Sequence, residues 1–288
     1  MSTVIQGSGL PLEISPDDPI RIIGERINPS GKSKLRQAIL ERDWEYIADE
    51  AKRQVLAGAH VIDVNVGGKG IDETLSLPEA VRVVAEAVDV PLSIDTRNPQ
   101  ALKAALEVCP GRPLVNSIGG EQKILSQNLP IIAAHKIPVI VLCMGQEGIP
   151  TSAEARLKIA HNVLEAAVQA GINEEDILFD PLVMTVGADD YAAKIALDTI
   201  RLLRQEFPQN NITGGTSNVS FGMPDRDSVN ASFITIAAVL GMNIPITDPT
   251  NKHLLAATLI ADVFRGCDRK KRRYMSFIRQ NQMGTIPD

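Results

Sequence analysis

Short runs of apolar and β-branched residues alternate along the chain with longer segments in which apolar residues recur every three or four positions. The short runs predict strands and the longer segments predict helices, and the alternation occurs eight times. The predicted strands are Arg21–Ile27, Val61–Val66, Pro91–Thr96, Pro113–Ile118, Pro138–Met144, Ile177–Val183, Ile212–Asn218 and Ile244–Asp248. The predicted helices are Trp44–Ala59, Leu77–Val88, Pro99–Val108, Ile124–His135, Ala153–Ala170, Tyr191–Phe207, Asp227–Leu240 and Lys252–Arg265.

Eight strand–helix units in strict alternation close without leftover elements into an α/β fold of the (β/α)₈ or TIM-barrel type. We therefore expect one barrel domain over residues 20–266. Residues 1–19, which contain three prolines, predict an extended lead-in, and residues 267–288 predict a C-terminal extension. An open, doubly wound sheet is the alternative, because alternation alone does not establish closure.

Polar residues concentrate where the predicted strands end. In an α/β barrel those ends meet at one mouth, where the following loops carry the chemistry. The first strand ends in Gly-Glu-Arg-Ile-Asn, the second in Asp-Val-Asn-Val-Gly and the seventh in Gly-Gly-Thr-Ser-Asn. Aspartates also end the third and sixth strands, and an asparagine ends the fourth. We expect these side chains to surround one site.

Carboxylates on apolar strands require a reason, because burying a charge costs free energy unless it is hydrogen-bonded or paired. For any one of Asp63, Asp95 and Asp180, capping of the next helix is the simpler interpretation. Together with several asparagines, they suit a flat heterocycle with a ring N–H beside an exocyclic amine, which a carboxylate accepts in a bidentate manner. Residue types alone also permit other ligands, although the set is weak evidence for Mg²⁺.

Composition narrows the class of protein. The chain is 44% hydrophobic and 22% charged, and it contains neither a long apolar run nor a basic-then-apolar N-terminus, so we expect a cytoplasmic protein. With a net charge of −6 the chain has no overall positive potential that would attract nucleic acid. The short basic run Arg269–Arg273 predicts a solvated face. Cys109, Cys143 and Cys267 are widely spaced, which predicts free buried thiols, and no histidine spacing indicates a metal site.

At these strand ends the chain resembles the pterin-binding family. That family includes methyltetrahydrofolate–corrinoid protein methyltransferases, the folate domain of cobalamin-dependent methionine synthase, and dihydropteroate synthase. The likeness extends from about Ile22 to Phe264, and its motifs look like the methyltransferase branch. They are Ile22–Asn28, Asp63-x-Asn65-x-Gly67, Ser93–Asp95, Val115–Ser117 with Glu121, Asp180–Leu182 and Ser217–Ser220.

The resemblance implies a role for each matching residue. Asp95, Asn116 and Asp180 would hold the pterin edge, and Gly215 and Ser217 would line its face. Asn218 is similar to the residue that contacts the methylated pterin nitrogen, and it would donate a hydrogen bond during catalysis. The floor and supporting residues would be Glu25, Arg26, Asn28, Asp63 and Asn65. Phe221 stands where some relatives carry a polar residue, so contacts in that loop need not be reproduced in detail.

The implied activity is transfer of a methyl group, in either direction, between 5-methyltetrahydrofolate and a corrinoid. No Asp-x-His-x-x-Gly segment for corrinoid binding occurs, so we expect a separate corrinoid protein as transient partner and no intrinsic metal. O-demethylation and acetogenesis are pathways that would use this reaction.

Two alternatives have a different function: an enzyme like dihydropteroate synthase, which would want a lysine in the loop at Gly214–Ser220, or a folate-binding barrel without catalysis. Related methyltransferases resemble homodimers. Apolar positions in the eighth predicted helix would form either a dimer face or ordinary core, namely Ile234, Ala237, Ala238 and Leu240.

Overall fold

The computed structural model describes residues 2–281 and shows a closed barrel of eight parallel strands. Around the barrel the strands follow chain order, and the last strand closes it by pairing with both the strand before it and the first barrel strand. The TIM-barrel prediction is confirmed, and the open doubly wound alternative is wrong. The strands are β3 (Ile23–Ile27), β4 (Val61–Val64), β5 (Leu92–Asp95), β6 (Leu114–Gly120), β7 (Val139–Gly145), β8 (Ile177–Asp180), β9 (Asn211–Gly215) and β10 (Ile244–Thr247).

Helices surround the barrel, and all eight predicted helices are present with ends shifted by a few residues. They are α2 (Trp44–Leu56), α3 (Glu73–Ala87), α4 (Pro99–Val108), α5 (Gln122–His135), α6 (Ala153–Gln169), α7 (Ala192–Glu206), α8 (Arg226–Leu240) and α9 (Lys252–Phe264). Several begin at a side-chain cap, as at Asn98, whose Oδ1 accepts hydrogen bonds from the first turn of α4. The pattern did not predict α1 (Ser33–Glu41) or α10 (Arg272–Asn281). No helix within residues 2–281 is long and apolar enough to cross a membrane.

A hairpin closes the amino-terminal end of the barrel. Strands β1 (Thr3–Ile5) and β2 (Leu12–Ile14) pair antiparallel within the predicted lead-in. Ile5 and Ile14 are fully buried, in one cluster with the inward residues at the start of six barrel strands: Ile23, Val61, Leu114, Ile140, Leu178 and Ile244. Asn211 in β9 also donates hydrogen bonds to Thr3 Oγ1 and Ile14 O. The hairpin is therefore a plug built into the core.

Strand periodicity divides the barrel interior into layers. Side chains two residues apart on a strand share a face. In β4, Val61 belongs to the plugged apolar layer, and Asp63 lies above it in the cleft at the carboxyl end. The same step leads from Ile23 to Glu25 in β3. The apolar layer thus forms a dry floor beneath the polar strand ends.

The three cysteines are free thiols, as predicted. Only Cys143 is fully buried, whereas Cys109 and Cys267 are partly exposed, so the prediction of burial is wrong for those two. Burial raises the pKa of the Cys109 thiol to about 12, which keeps it protonated. The described part of the C-terminal extension is helical, and residues 282–288 of that extension lie outside the described chain.

Candidate active site

A polar cleft with a volume of about 400 Å³ opens at the carboxyl ends of the barrel strands. Most of the residues that the sequence singled out line it. The lining residues are Glu25, Asn28, Ser30, Lys32, Asp63, Asp95, Asn116, Asp180, Gly215, Ser217, Asn218, Phe221, Arg226 and Ile246. The predicted convergence of strand ends is therefore a feature of the structure.

Asp63 lies at the centre of the cleft floor. Its Oδ1 accepts hydrogen bonds from Ser93 Oγ at 2.6 Å and from Asn116 Nδ2 at 3.1 Å. Asp63 is on β4 and Asn116 is on β6, so this contact links two strands that are separated by β5. Burial raises the pKa of Asp63, and the hydrogen bonds from Ser93 and Asn116 oppose that shift. Asp63 therefore fixes the orientation of the Asn116 amide.

Asp95 is the neighbouring acid on β5, and its Oδ2 accepts a 2.8 Å hydrogen bond from Asn65 Nδ2. Asn65 does not line the cleft; its own Oδ1 accepts from the backbone N–H of Gly67 at 2.8 Å. Burial, followed by the nearby charge of Asp63, raises the pKa of Asp95 well above its usual value. A ligand that donates hydrogen bonds would favour the ionised form of Asp95 and relieve this penalty.

Asp180 ends β8 and is held by its own loop. Its Oδ1 accepts the backbone N–H of Leu182 at 2.7 Å. The buried guanidinium of Arg156 fixes the same loop through 2.7 Å hydrogen bonds to the carbonyl oxygens of Pro181 and Leu182. Burial raises the pKa of Asp180 to about 6. None of the three buried aspartates caps a helix, so the simpler capping interpretation does not hold.

In the motif Gly24-Glu25-Arg26, the side chains of Glu25 and Arg26 point to opposite faces of β3. Glu25 lines the cleft, and its Oε1 accepts a 2.6 Å hydrogen bond from Ser217 Oγ. Arg26 lies outside the cleft, where it contacts Glu50 and donates a 2.8 Å hydrogen bond to Asp248. Gly24 is required because a Cβ there would lie 2.5 Å from Gln54 Oε1. Arg26 therefore lies behind the cleft, and its supporting role stays a prediction.

The loop after β9 carries Ser217 and Asn218 in a short 3₁₀ turn, Thr216–Ser220. The Asn218 side chain lies over Gly215, where an added Cβ would be 2.9 Å from Asn218 Nδ2. Within residues 2–281 the Asn218 amide has no hydrogen-bond partner, and the residue is exposed in the cleft. Phe221 is 68% exposed at the rim. This loop thus presents an uncommitted amide to the cleft.

Sequence reasoning missed the cationic residues of the cleft, Lys32 and Arg226. Lys32 Nζ donates to the carbonyl oxygens of Glu25 and Arg26 at 3.2 and 3.0 Å, and burial lowers its pKa. Arg226 donates to Ser217 O at 2.9 Å and to Ser220 Oγ at 3.0 Å. Lys32 follows a strand end closely, which was a usable signal. Arg226 starts a helix eight residues beyond Asn218, and only the loop geometry returns it to the mouth.

The cleft is lined by carboxylate and amide side chains from strands on different sides of the barrel. Asp95, Asn116 and Asp180 come from β5, β6 and β8, whereas Glu25 and the loop with Asn218 come from β3 and beyond β9. Within residues 2–281 no group of three or more His, Cys, Asp or Glu side chains is placed to hold a metal ion. This arrangement can orient a flat ligand with an N–H-rich edge and can protonate or deprotonate it.

Comparison with known proteins places this geometry in a family. The sequence profile of the pterin binding enzymes matches residues 24–248. The chain is 33% identical, over 92% of its length and 98% of the relative, to a methylcorrinoid:tetrahydrofolate methyltransferase of Eubacterium limosum. It is 27% identical to methionine synthase of Mycobacterium tuberculosis, over 80% of this chain but only 20% of that protein.

Solved structures with the same fold include dihydropteroate synthase from Yersinia pestis with a pterine-sulfa conjugate, at a TM-score of 0.68 and 18% identity. This match covers 92% of the chain and all of that structure. The Xanthomonas albilineans synthase with 4-aminobenzoic acid gives a TM-score of 0.67 at 15% identity, covering 92% and 99%. At such identities the likeness concerns the barrel.

Proposed function

Because the chain belongs to the pterin binding enzyme family, we propose that it moves a methyl group between 5-methyltetrahydrofolate and the cobalt of a corrinoid carried by a separate protein. The observation that carries the proposal is the cleft itself. It gathers the carboxylates, amides and loop of the methyltransferase motifs at one barrel mouth. The 33% identity to a methylcorrinoid:tetrahydrofolate methyltransferase over nearly the full length of both chains supports it.

In this proposal Asp95, Asn116 and Asp180 hold the edge of the pterin. A pterin presents a ring N–H beside an exocyclic amine, which a carboxylate accepts in two parallel hydrogen bonds. The amide of Asn116, oriented by Asp63, serves the ring carbonyl or a ring nitrogen. Asp95 and Asp180 are costly to ionise while no ligand is bound, because they are buried. Hydrogen-bond donors on the pterin would then partner these two carboxylates.

Gly215, Ser217 and Asn218 serve the face and the reacting nitrogen. Gly215 keeps the wall flat, and its lack of a side chain leaves room for the Asn218 amide. Because the departing nitrogen is a poor leaving group, transfer needs hydrogen-bond donation to it while the carbon–nitrogen bond breaks. The uncommitted Nδ2 of Asn218 is suited to that role, and the apolar layer forms the floor beneath the ligand.

The corrinoid arrives as a substrate on its partner protein. The sequence contains no Asp-x-His-x-x-Gly segment, and the match to methionine synthase covers only a fifth of that larger protein. The rim at the mouth exposes Ile149, Met184 and Phe221 after three successive strands. A transient partner that must bring cobalt within bonding reach of the methyl group would dock there.

We further propose a homodimer formed through α8. The residues that suggested it from sequence do not carry the case, because Ile234, Ala237 and Ala238 are buried in the protomer's own core. The outer face of the same helix instead exposes Ile236 and Val239, at 49% and 53%. Apolar side chains exposed at helical spacing support an interface on this side, away from the barrel mouth.

The decisive test mixes the protein with 5-methyltetrahydrofolate and chemically reduced free cob(I)alamin. The proposal expects loss of the cob(I)alamin absorbance and appearance of methylcobalamin, and the reverse reaction from methylcobalamin and tetrahydrofolate. Folate binding without transfer in either direction would indicate a storage barrel. Condensation of 4-aminobenzoic acid with a pterin diphosphate would instead indicate the synthase. The favoured direction would show which kind of cytoplasmic pathway, such as O-demethylation or acetogenesis, uses the protein.

A further inference from the structure

The proposed reaction requires one net proton, and Asn218 cannot supply it. When the methyl group leaves 5-methyltetrahydrofolate for cobalt(I), the carbon–nitrogen bond breaks, a carbon–cobalt bond forms, and the nitrogen gains an N–H. In reverse, the N–H loses its proton, the nitrogen lone pair attacks the methyl carbon, and cobalt keeps the electron pair. A carboxamide donates a hydrogen bond but does not give up a proton near neutral pH. Another group must hold it.

Four carboxyl groups line the cleft, and three of them have other partners or tasks. Asp63 accepts hydrogen bonds from Ser93 and Asn116 on the floor. Asp95 and Asp180, under the proposed function, face the pterin edge on the opposite side of the ring system from the methyl group. Glu25 is the fourth, and its role is not explained by pterin recognition.

The geometry points to Glu25 as the group that gives the proton to the pterin nitrogen and, in the reverse direction, removes it; this inference rests on the proposed function. Its Oε1 accepts the 2.6 Å hydrogen bond from Ser217 Oγ, which joins β3 to the loop after β9 across β10. Its Oε2 has no hydrogen-bond partner within residues 2–281 and is not sealed from the cleft. Ser217 immediately precedes Asn218, so the acid and the amide belong to one wall.

That wall lies opposite Asn116. Around the barrel the order is β10, β3, β4, β5, β6, β7, β8, β9, so β3 and the loop after β9 flank β10. Asn116 on β6 is on the far side of the ring of strands from this group. A flat ligand whose edge contacts Asn116 therefore directs its other end towards Glu25 and Asn218.

The surroundings of Glu25 suit a proton carrier. Burial raises its pKa from the ordinary value of a glutamate; the hydrogen bond from Ser217 and the charge of Lys32 oppose that shift, whereas Asp248 and Asp63 add to it. Arg226, the other cation that lines the cleft, donates a hydrogen bond to the backbone carbonyl of Ser217. Because the donor must be protonated, transfer from methyltetrahydrofolate should slow as pH rises through the Glu25 pKa. The reverse transfer needs the carboxylate and should slow as pH falls.

The test measures single-turnover rates with saturating 5-methyltetrahydrofolate and free cob(I)alamin across pH, so that changes in folate affinity drop out. For Glu25→Gln we expect a rate about 100-fold lower and largely independent of pH, since general acid catalysis contributes roughly 10²–10⁴-fold. Folate affinity should stay within about threefold, because Gln can still accept from Ser217. Ser217→Ala removes an interaction that lowers the Glu25 pKa, so the fall in rate should move to higher pH.

Infrared difference spectra supply a readout that does not depend on turnover. A carbonyl stretch of a protonated carboxyl group should titrate at the pH of the kinetic transition in the wild type and be missing in Glu25→Gln. An unchanged rate and pH profile in Glu25→Gln would overturn the inference, as would a Ser217→Ala profile that does not move. Absence of any transfer by the folded wild-type protein would instead refute the proposed function.

Discussion

Asn65 Nδ2 donates a 2.8 Å hydrogen bond to Asp95 Oδ2, which ties the end of β4 to the end of β5. Asn65 contributes no surface to the cleft, and yet it determines where the second oxygen of Asp95 faces. The sequence presents these residues thirty positions apart, and strand pairing places them side by side. Asn65 thus holds a residue that lines the cleft without lining the cleft itself.

Replacing the Asp95 carboxylate should weaken pterin binding. Asp95→Asn keeps the shape but loses the charged acceptor, and hydrogen bonds to charged groups contribute about 1.5–3 kcal/mol, so we expect the Kd for 5-methyltetrahydrofolate to rise about 10- to 100-fold. Titration calorimetry would measure it. Asp72→Asn is a matched control, because Asp72 caps α3 away from the cleft and asparagine caps equally well. Equal affinity of both variants would remove Asp95 from the pterin site.

The Asn218 amide should matter more for rate than for binding. We expect Asn218→Ala to lower the single-turnover transfer rate by about 10²–10³, as for loss of one transition-state donor, with a smaller change in folate affinity. Gly215→Ala should act in the same direction, because its Cβ would displace the Asn218 side chain, 2.9 Å away. Stopped-flow spectroscopy of cob(I)alamin follows both variants. A full rate in Asn218→Ala would contradict its assignment as donor.

The carboxylate of Asp180 should lower the free energy of unfolding of the ligand-free protein. Its pKa, raised from 3.8 to about 6, means that the folded state binds the proton more tightly than the unfolded state, so the stability contribution falls as pH rises between these values. At about 1.4 kcal/mol per unit, Asp180→Asn should increase the free energy of unfolding at pH 8 by up to about 3 kcal/mol while abolishing folate binding.

Urea denaturation of both proteins without folate at about pH 4 and pH 8 checks the prediction for Asp180, and the stabilisation should be much smaller at the lower pH. The same difference in free energy of unfolding at both values would show that Asp180 keeps an ordinary pKa. In the wild type, folate affinity should also decrease as pH falls below about 6, because the protonated acid no longer accepts two hydrogen bonds.

Charges on the outer face of α8 should separate the proposed dimer. Ile236→Lys with Val239→Lys places two cations in an apolar contact, and we expect light scattering at micromolar concentration to change from dimer to monomer. Leu56→Lys is a matched control, since Leu56 is exposed at the end of another helix, α2. A wild-type protein that is monomeric, or a double variant that stays dimeric, would rule out this interface.

Much of the fold was readable because its pattern is local. Each barrel strand is a short apolar run, and strand alternation alone separates Glu25, which lines the cleft, from Arg26, which does not. Helix α1 was not predicted because its N-cap residue, Lys32, makes no side-chain capping hydrogen bond and its first turn contains no acidic residue. The hairpin strands span only three residues each, too few for a periodic signal, and their burial depends on the barrel above them.

The site was predictable to the extent that it lies on strand ends. Asp63, Asp95, Asn116 and Asp180 lie where a parallel barrel must bring them. Lys32 follows the end of β3 closely and could have been noticed, whereas Arg226 begins α8 and reaches the cleft only through contacts with the loop after β9. The Ser217–Glu25 contact spans 192 positions and followed only from the folded chain.

The hairpin plug covers the amino-terminal end of the barrel, and the polar cleft opens at the other end. Under the proposed function, folate binds against the polar strand ends, and the corrinoid protein covers the same opening to reach it. In that case folate would enter before the corrinoid protein docks and would leave after it has gone. The rate at which folate exchanges would then be limited by how long the corrinoid protein stays bound.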